Sequence, residues 1–216
     1  MAFVYLVLRL FILNAMKRAG QILILPFLLV AVLLTAPTIS CQSYRDERVE
    51  PERLLNILAI KEGMKIGEAG AGSGYLTMFL AEKVGSSGHI YANDIDENVL
   101  RRLENNALSK GFNNITTVLG VKDDPKFPAE DLEMIVMLRA FHEFENKVEW
   151  LINASPYLAK DGSLIILDGW FDDGRTMTKE FIEDVAEKSG YRLESYDPYL
   201  SNLFIFKLKL HQQARQ

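Results

Sequence analysis

The chain has 216 residues, of which 49% are hydrophobic and 25% charged, with a formal net charge of -5 and one cysteine, Cys41. A single thiol excludes an intrachain disulfide scaffold and a cysteine-based zinc site, and the acidic balance argues against a general nucleic-acid binder, whose footprint is basic. The charge is unevenly placed. Residues 1–40 hold Arg9, Lys17 and Arg18 and no acid, so they carry +3, whereas residues 41–216 carry -8.

The leader comes first. Lys17-Arg18 precede an apolar run from Ile22 to Ala36 broken only by Pro26 and Thr35, and small or polar residues then lead to Ser40-Cys41. That order describes a secretory signal. A small residue directly before a cysteine resembles the lipobox of bacterial lipoproteins, a resemblance that implies lipidation of Cys41 as the first mature residue. Met16-Lys17-Arg18 is itself a normal start for such a signal, so residues 1–15 read as an over-extended start or a non-standard leader. The alternatives are an uncleaved anchor and a buried core helix; the 18 residues Ile22–Ile39 lie at the short end of what spans a bilayer. Export readings place the domain beyond the membrane, in the cell envelope or periplasm, held by lipidated Cys41 or by the apolar segment. If the leader is not an export signal, the domain stays on the cytoplasmic face.

Gln42–Glu50 is polar and reads as a linker, so residues 51–216 form the folded domain. Pro51 suits the first turn of a helix, with Leu54, Leu55, Leu58 and Ile60 as its apolar residues. Strand-like and helical segments then alternate. Strands are predicted at Met64–Ala69, His89–Asp94, Ile115–Leu119, Met134–Leu138 and Leu164–Leu167. Helices are predicted at Tyr75–Val84, Asp96–Lys110, Lys147–Leu158 and Thr178–Ser189. Tyr191–Tyr196 and Leu203–Leu208 are the last strands, joined through Asp197-Pro198 without a helix, which predicts an antiparallel end to the sheet. The fold class is therefore α/β, a doubly wound and mostly parallel sheet with helices on both faces.

Glu68-Ala-Gly70-Ala-Gly72-Ser-Gly74-Tyr75 follows a predicted strand and opens a predicted helix. Its glycines allow a tight turn and close approach of a ligand to the backbone. A dinucleotide loop would need a third glycine where Tyr75 stands. The string acid-x-G-x-G-x-G, followed by Tyr91-Ala92-Asn93-Asp94 at the end of the second strand, resembles the class I S-adenosylmethionine (SAM) methyltransferases. The resemblance runs from about Leu54 to Leu208. It implies a seven-stranded sheet with an antiparallel last strand, and SAM as the cofactor. It also implies roles: Asp94 on the ribose hydroxyls, Ile95 against the adenine, Tyr75 beside the methionine part. Glu68 is expected to bond the loop or the methionine amino group.

The sequence departs from the family where an acid usually meets the adenine amino group. Val121 stands there, and Asp123, Asp124 or a backbone carbonyl is left to substitute. Arg139-Ala-Phe141-His142-Glu143-Phe144 resembles the loop that faces the substrate. His142 is the candidate base, since an imidazole ordinarily titrates near ~6.5; Glu143 and Arg139 are candidates for substrate contact. His89 and His211 have only structural readings, and no metal constellation is seen. Two functional classes follow: a methyltransferase acting on a small-molecule or lipid-soluble acceptor, and a non-catalytic envelope protein keeping the fold as a ligand-binding module. The first is favoured by the retained glycine loop and Asp94, although export would remove the domain from the cytoplasm, where SAM is made.

Overall fold

Pro51 sits in the first turn of helix α1 (Pro51–Ile57), where its missing N–H has no partner to lose. Leu54, Leu55, Leu58 and Ile60 are all buried. The computed structural model describes residues 49–169 and 177–211; the leader, Cys41 and the polar segment 171–175 lie outside the described residues. After α1 come β1 (Lys65–Ala69), α2 (Tyr75–Val84), β2 (His89–Asp94), α3 (Glu97–Ser109) and β3 (Ile115–Leu119). The second half holds β4 (Leu132–Leu138), α4 (Lys147–Ala154), β5 (Leu158–Gly169), α5 (Lys179–Lys188), β6 (Tyr191–Leu200) and β7 (Leu203–Leu210). Among the described residues no helix is long and apolar enough to cross a membrane.

The seven strands form one sheet in the order β3-β2-β1-β4-β5-β7-β6. Neighbours from β3 to β5 pair in parallel, and β7 runs antiparallel to both β5 and β6. The expected fold class is thus the one the chain adopts. Alternation along the strands assigns each side chain to a face. Ile135 and Met137 of β4 join Trp150, Leu151, Ile182 and Val185 on one side. Met134 and Val136 join Leu54, Leu76 and Leu80 on the other. Both faces are covered, which is why β4 reads as an unbroken apolar run. Each such side chain contributes about 1.5–3 kcal/mol on burial. Helix α3 turns Leu100, Leu103 and Ala107 inward, and its N-cap Asp96 accepts from the N–H groups of Asn98 (2.8 Å) and Val99 (3.4 Å).

Three elements depart from the sequence expectation by more than two residues. The helix predicted to reach Leu158 stops at Ala154, and Pro156 lies in a 3-10 turn, Ser155–Tyr157. The strand predicted over Leu164–Leu167 is twelve residues long, from Leu158 to Gly169. Its register against β4 shifts between Leu132↔Leu158 and Met134↔Ser163, so the extra pairing lies beyond an irregularity that periodicity does not reveal. Asp197-Pro198, expected as the connection, lies inside β6. Because β6 is the sheet edge and its register slips between Asp197 and Leu200, Pro198 has no ladder bond to donate. The next residue, Tyr199, donates its hydroxyl to the carbonyls of Val49 and Glu50 (3.0 Å each), with Arg53 over its ring at 4.8 Å.

Candidate active site

The strand order reverses between β1 and β4, since β1 leads to β2 on one side while β4 lies on the other. Ligands of open α/β sheets bind at such a switch, beyond the carboxyl ends of the strands. A cavity of about 310 Å³ lies there. The loops after β1 (Gly70), β2 (Asp94, Ile95) and β3 (Val121, Lys122) line it, with Arg139, Ala140, Glu143, Phe144 and Glu145 after β4 and Trp150 of α4.

The glycine loop is shaped by what lies against it. Gly70 adopts φ +71, and a Cβ there would stand 2.3 Å from the Ala140 Cβ, so the loops after β1 and β4 meet across bare backbone. Gly72, at φ +56, has nothing within 4 Å of where a Cβ would stand and faces open space. Gly74 is the N-cap of α2, followed by Tyr75, whose ring meets Phe79 edge-on at 5.6 Å.

Asp94 closes this side. One carboxylate oxygen accepts from the Gly72 N–H (3.0 Å) and the other from the Asp96 N–H (3.1 Å). Each oxygen keeps a further lone pair for a ligand donor. The loop is also fixed by Ala71 N–H donating to the Asn93 carbonyl at 2.9 Å. Beneath it Glu68 is buried and accepts from the Thr77 hydroxyl at 2.6 Å. Burial, aided by the neighbouring Asp94 charge and opposed by the Thr77 bond, pushes the Glu68 carboxyl up to about 8. A bare nook at Gly72, a carboxylate beside it and apolar walls of Ile95, Val121, Phe144 and Trp150 fit an adenosyl group.

The other side is built from side chains. Asp168, at the end of β5, is fully buried. Its Oδ2 accepts from the His142 backbone N–H (3.0 Å) and lies 3.0 Å from His142 Nδ1, while Oδ1 accepts from the Gly169 N–H at 3.0 Å. Bonded on Nδ1, the imidazole turns Nε2 toward Glu143, whose Oε1 stands 2.9 Å away. His142 lies in the 3-10 turn Phe141–Glu143, whose outgoing carbonyls are held by Lys147: Nζ donates to the carbonyls of His142 (3.2 Å) and Phe144 (2.6 Å). Arg139 leaves β4 in the left-handed region at φ +52 and its N–H donates to the Leu167 carbonyl at 2.7 Å.

The structure therefore gathers Gly70, Asp94 and Ile95 around one end of the cavity, with Gly72 bonded to Asp94, Glu68 buried against Thr77, and Gly74 and Tyr75 starting α2. His142 lies behind Glu143, which does line the cavity. Asp123 does not line it; the turn closes on itself through Val121 N–H to the Asp124 carbonyl (2.9 Å), and the Asp123 carbonyl accepts from Asn153 at 2.9 Å. Asp124 is engaged with Tyr157 and Lys126. Sequence reasoning missed the Asp168–His142 pairing and the walls Phe144 and Trp150. An acid closing a buried strand was the available signal for the first.

The family model of the methyltransferase domain matches residues 60–204. A protein-L-isoaspartate O-methyltransferase of Methanosarcina mazei is 38% identical over 66 residues, covering 31% of this chain and 27% of that protein. The nocamycin O-methyltransferase of Saccharothrix syringae is 30% identical over 83 residues, 38% of this chain and 30% of that protein. The chain spans about a third of the length of the curated relatives it matches. Among solved structures, a SAM-dependent methyltransferase from Aquifex aeolicus superposes with a TM-score of 0.72 over 82% of this chain and 95% of that one, at 22% identity, a likeness of fold.

Proposed function

The chain belongs to the class I SAM-dependent methyltransferase family, and from that premise we propose that it methylates an ionisable hydroxyl or enol of a small or lipid-soluble acceptor. The observation that supports this reading is the Asp168–His142 pair, which stands directly behind Glu143 of the cavity lining. When bound, SAM supplies a methyl group already activated on a sulfonium. What remains for the protein is to align a nucleophile and remove its proton.

Gly70 and Gly72 would admit the cofactor to the backbone, Asp94 would accept from its ribose, and Ile95, Phe144 and Trp150 would exclude water from its base. Asp168 accepts a hydrogen bond from His142 Nδ1, and Nε2 stands 2.9 Å from Glu143 Oε1, a contact that holds a proton between nitrogen and carboxylate. Glu143 swings aside with the proton of that contact, and the acceptor O–H takes its place and gives its own proton to the Nε2 lone pair so freed. A carboxylate acceptor would need no such base, because it is already ionised at neutral pH.

The test is transfer of labelled methyl by the full chain, purified in mild detergent, to panels of phenols, enols and carboxylic acids. Phenol or enol products lost in His142→Ala, with SAM binding retained, are the expected result. Products confined to carboxylic acids, unchanged in His142→Ala, would overturn it.

We propose in addition that lipidated Cys41 holds the chain at a membrane in the cell envelope, a reading supported by the order of basic residues, apolar run and Ser40-Cys41. Mass spectrometry of the cellular protein should find a diacylated Cys41 at the mature N-terminus. Recovery of unmodified Cys41 with the leader attached would overturn it.

A further inference from the structure

The cavity has an unusual polar rim. Its apolar walls are Ile95 and Val121 from the loops after β2 and β3, and Phe144 and Trp150 from the loop after β4 and from α4, with the last two rings 4.9 Å apart; Arg139 and Glu143 add polar lining. A flat heteroaromatic ring attached to a sugar at Asp94 would lie between these walls. Its polar edge would then face the rim, where Lys122 Nζ and Glu145 Oε1 meet at 2.8 Å. Val121 can accept nothing through its side chain, Asp123 lies off the cavity, and Asp124 is committed to Tyr157 and Lys126. Three carboxylates line the cavity: Asp94 at the glycine loop, Glu143 against His142 Nε2, and Glu145, which is bonded to Lys122 next to Val121. Its second oxygen carries no bond to Lys122, and the Lys122 ammonium holds its carboxyl below the usual range, so it is a charged acceptor at neutral pH.

We propose that Glu145 is the specificity-determining acceptor for the base of the cofactor, reading its 6-amino group, with Lys122 holding the carboxylate across the rim. Adenine offers a donor at position 6 beside a ring acceptor, whereas hypoxanthine offers a carbonyl. A carboxylate accepts from the first and faces the lone pairs of the second. Recognition of the base has in this way moved from the loop after β3 to the loop after β4. The proposal rests on the SAM reading above and adds the residue that selects the nucleobase.

The test is calorimetric titration of the full chain in mild detergent with S-adenosylhomocysteine and with S-inosylhomocysteine. The wild type should prefer the adenosyl ligand by about tenfold or more. Glu145→Ala should bind the adenosyl ligand about tenfold more weakly and bind both alike. Glu145→Gln should recover the inosyl ligand, because an amide can turn its N–H toward a carbonyl. Glu145 is 69% exposed, so both variants should melt as the wild type does. An unchanged preference in both variants, or an equal loss for both ligands, would overturn the assignment while leaving the cofactor reading intact. A folded wild type that binds neither ligand would overturn the cofactor reading and this proposal with it.

Discussion

The two ends of the cavity are built by different means. At the β1–β2 end the working groups are backbone N–H groups, bare glycine Cα positions and one carboxylate, all within 25 residues from Gly70 to Asp94. At the β4–β5 end they are side chains, with His142 set by Asp168 from 26 residues away. The first end is fixed by backbone conformation, so a change there strikes the fold and the ligand together. The second is fixed by a buried pair on a rigid sheet, so a change there strikes chemistry while the cradle stands.

The largest expected effect breaks the first end outright. Gly70→Val would force a side chain into Ala140 and a left-handed backbone, at about 2–5 kcal/mol in total. Thermal melting should fall by many degrees. Gly72→Ala, which meets nothing within 4 Å, should lose only the left-handed strain of ~1–2 kcal/mol yet abolish cofactor titration. A similar melting loss in both variants would erase the distinction between the two glycines. Asp94→Ala comes next: calorimetry should show S-adenosylhomocysteine affinity reduced by about 100-fold, since two bonds to a charged group are lost.

These losses fall where the sequence was most readable. A glycine loop after a strand and an acid closing the next strand are local demands of the backbone, and a string of residues displays them directly. Asp96 as an N-cap and the apolar stripe of α3 are of the same kind. What was not readable depends on pairing at a distance. Nothing near His142 announces Asp168, and nothing near Leu158 announces that β5 begins there. Pro198 was read as a break because a proline cannot serve inside a sheet; its place on the edge is known only once the strand order is known. Val121 showed that an acid was missing, but the sequence alone did not show that the neighbouring wall comes from the loop after β4.

The second end is sharpened by Asp168→Asn. Transfer should slow by about 100-fold or more, with a changed pH profile and the cofactor affinity within threefold of wild type. Loss of cofactor binding to the same extent would mean that the two ends are not separable. A pH prediction concerns the floor they share. The folded Glu68 carboxyl keeps its proton up to about 8, whereas an ordinary one loses it near 4.5. Across that window the folded chain binds more protons at Glu68, so the contribution of this group to stability is full below 4.5 and falls as pH rises toward 8. Glu68→Gln should flatten that slope in melting curves recorded at pH 5, 6, 7 and 8. The smallest effect is reserved for Lys147→Ala, which releases the carbonyls of His142 and Phe144. It should cost about 1 kcal/mol in denaturant unfolding and lower transfer a few-fold, with cofactor binding unchanged.

Tyr199 adds a mechanical reading to this layout. By gripping the carbonyls of Val49 and Glu50 from the edge strand, it joins the point where the chain enters the domain to β6. Three strands, β4, β5 and β7, separate β6 from β1. A pull applied at Val49 would therefore be taken up in part by the edge of the sheet, with less of it passing through α1 toward the strand that carries the glycine loop. Removing the hydroxyl with Tyr199→Phe would leave the ring contact with Arg53 and pass more of the load down α1.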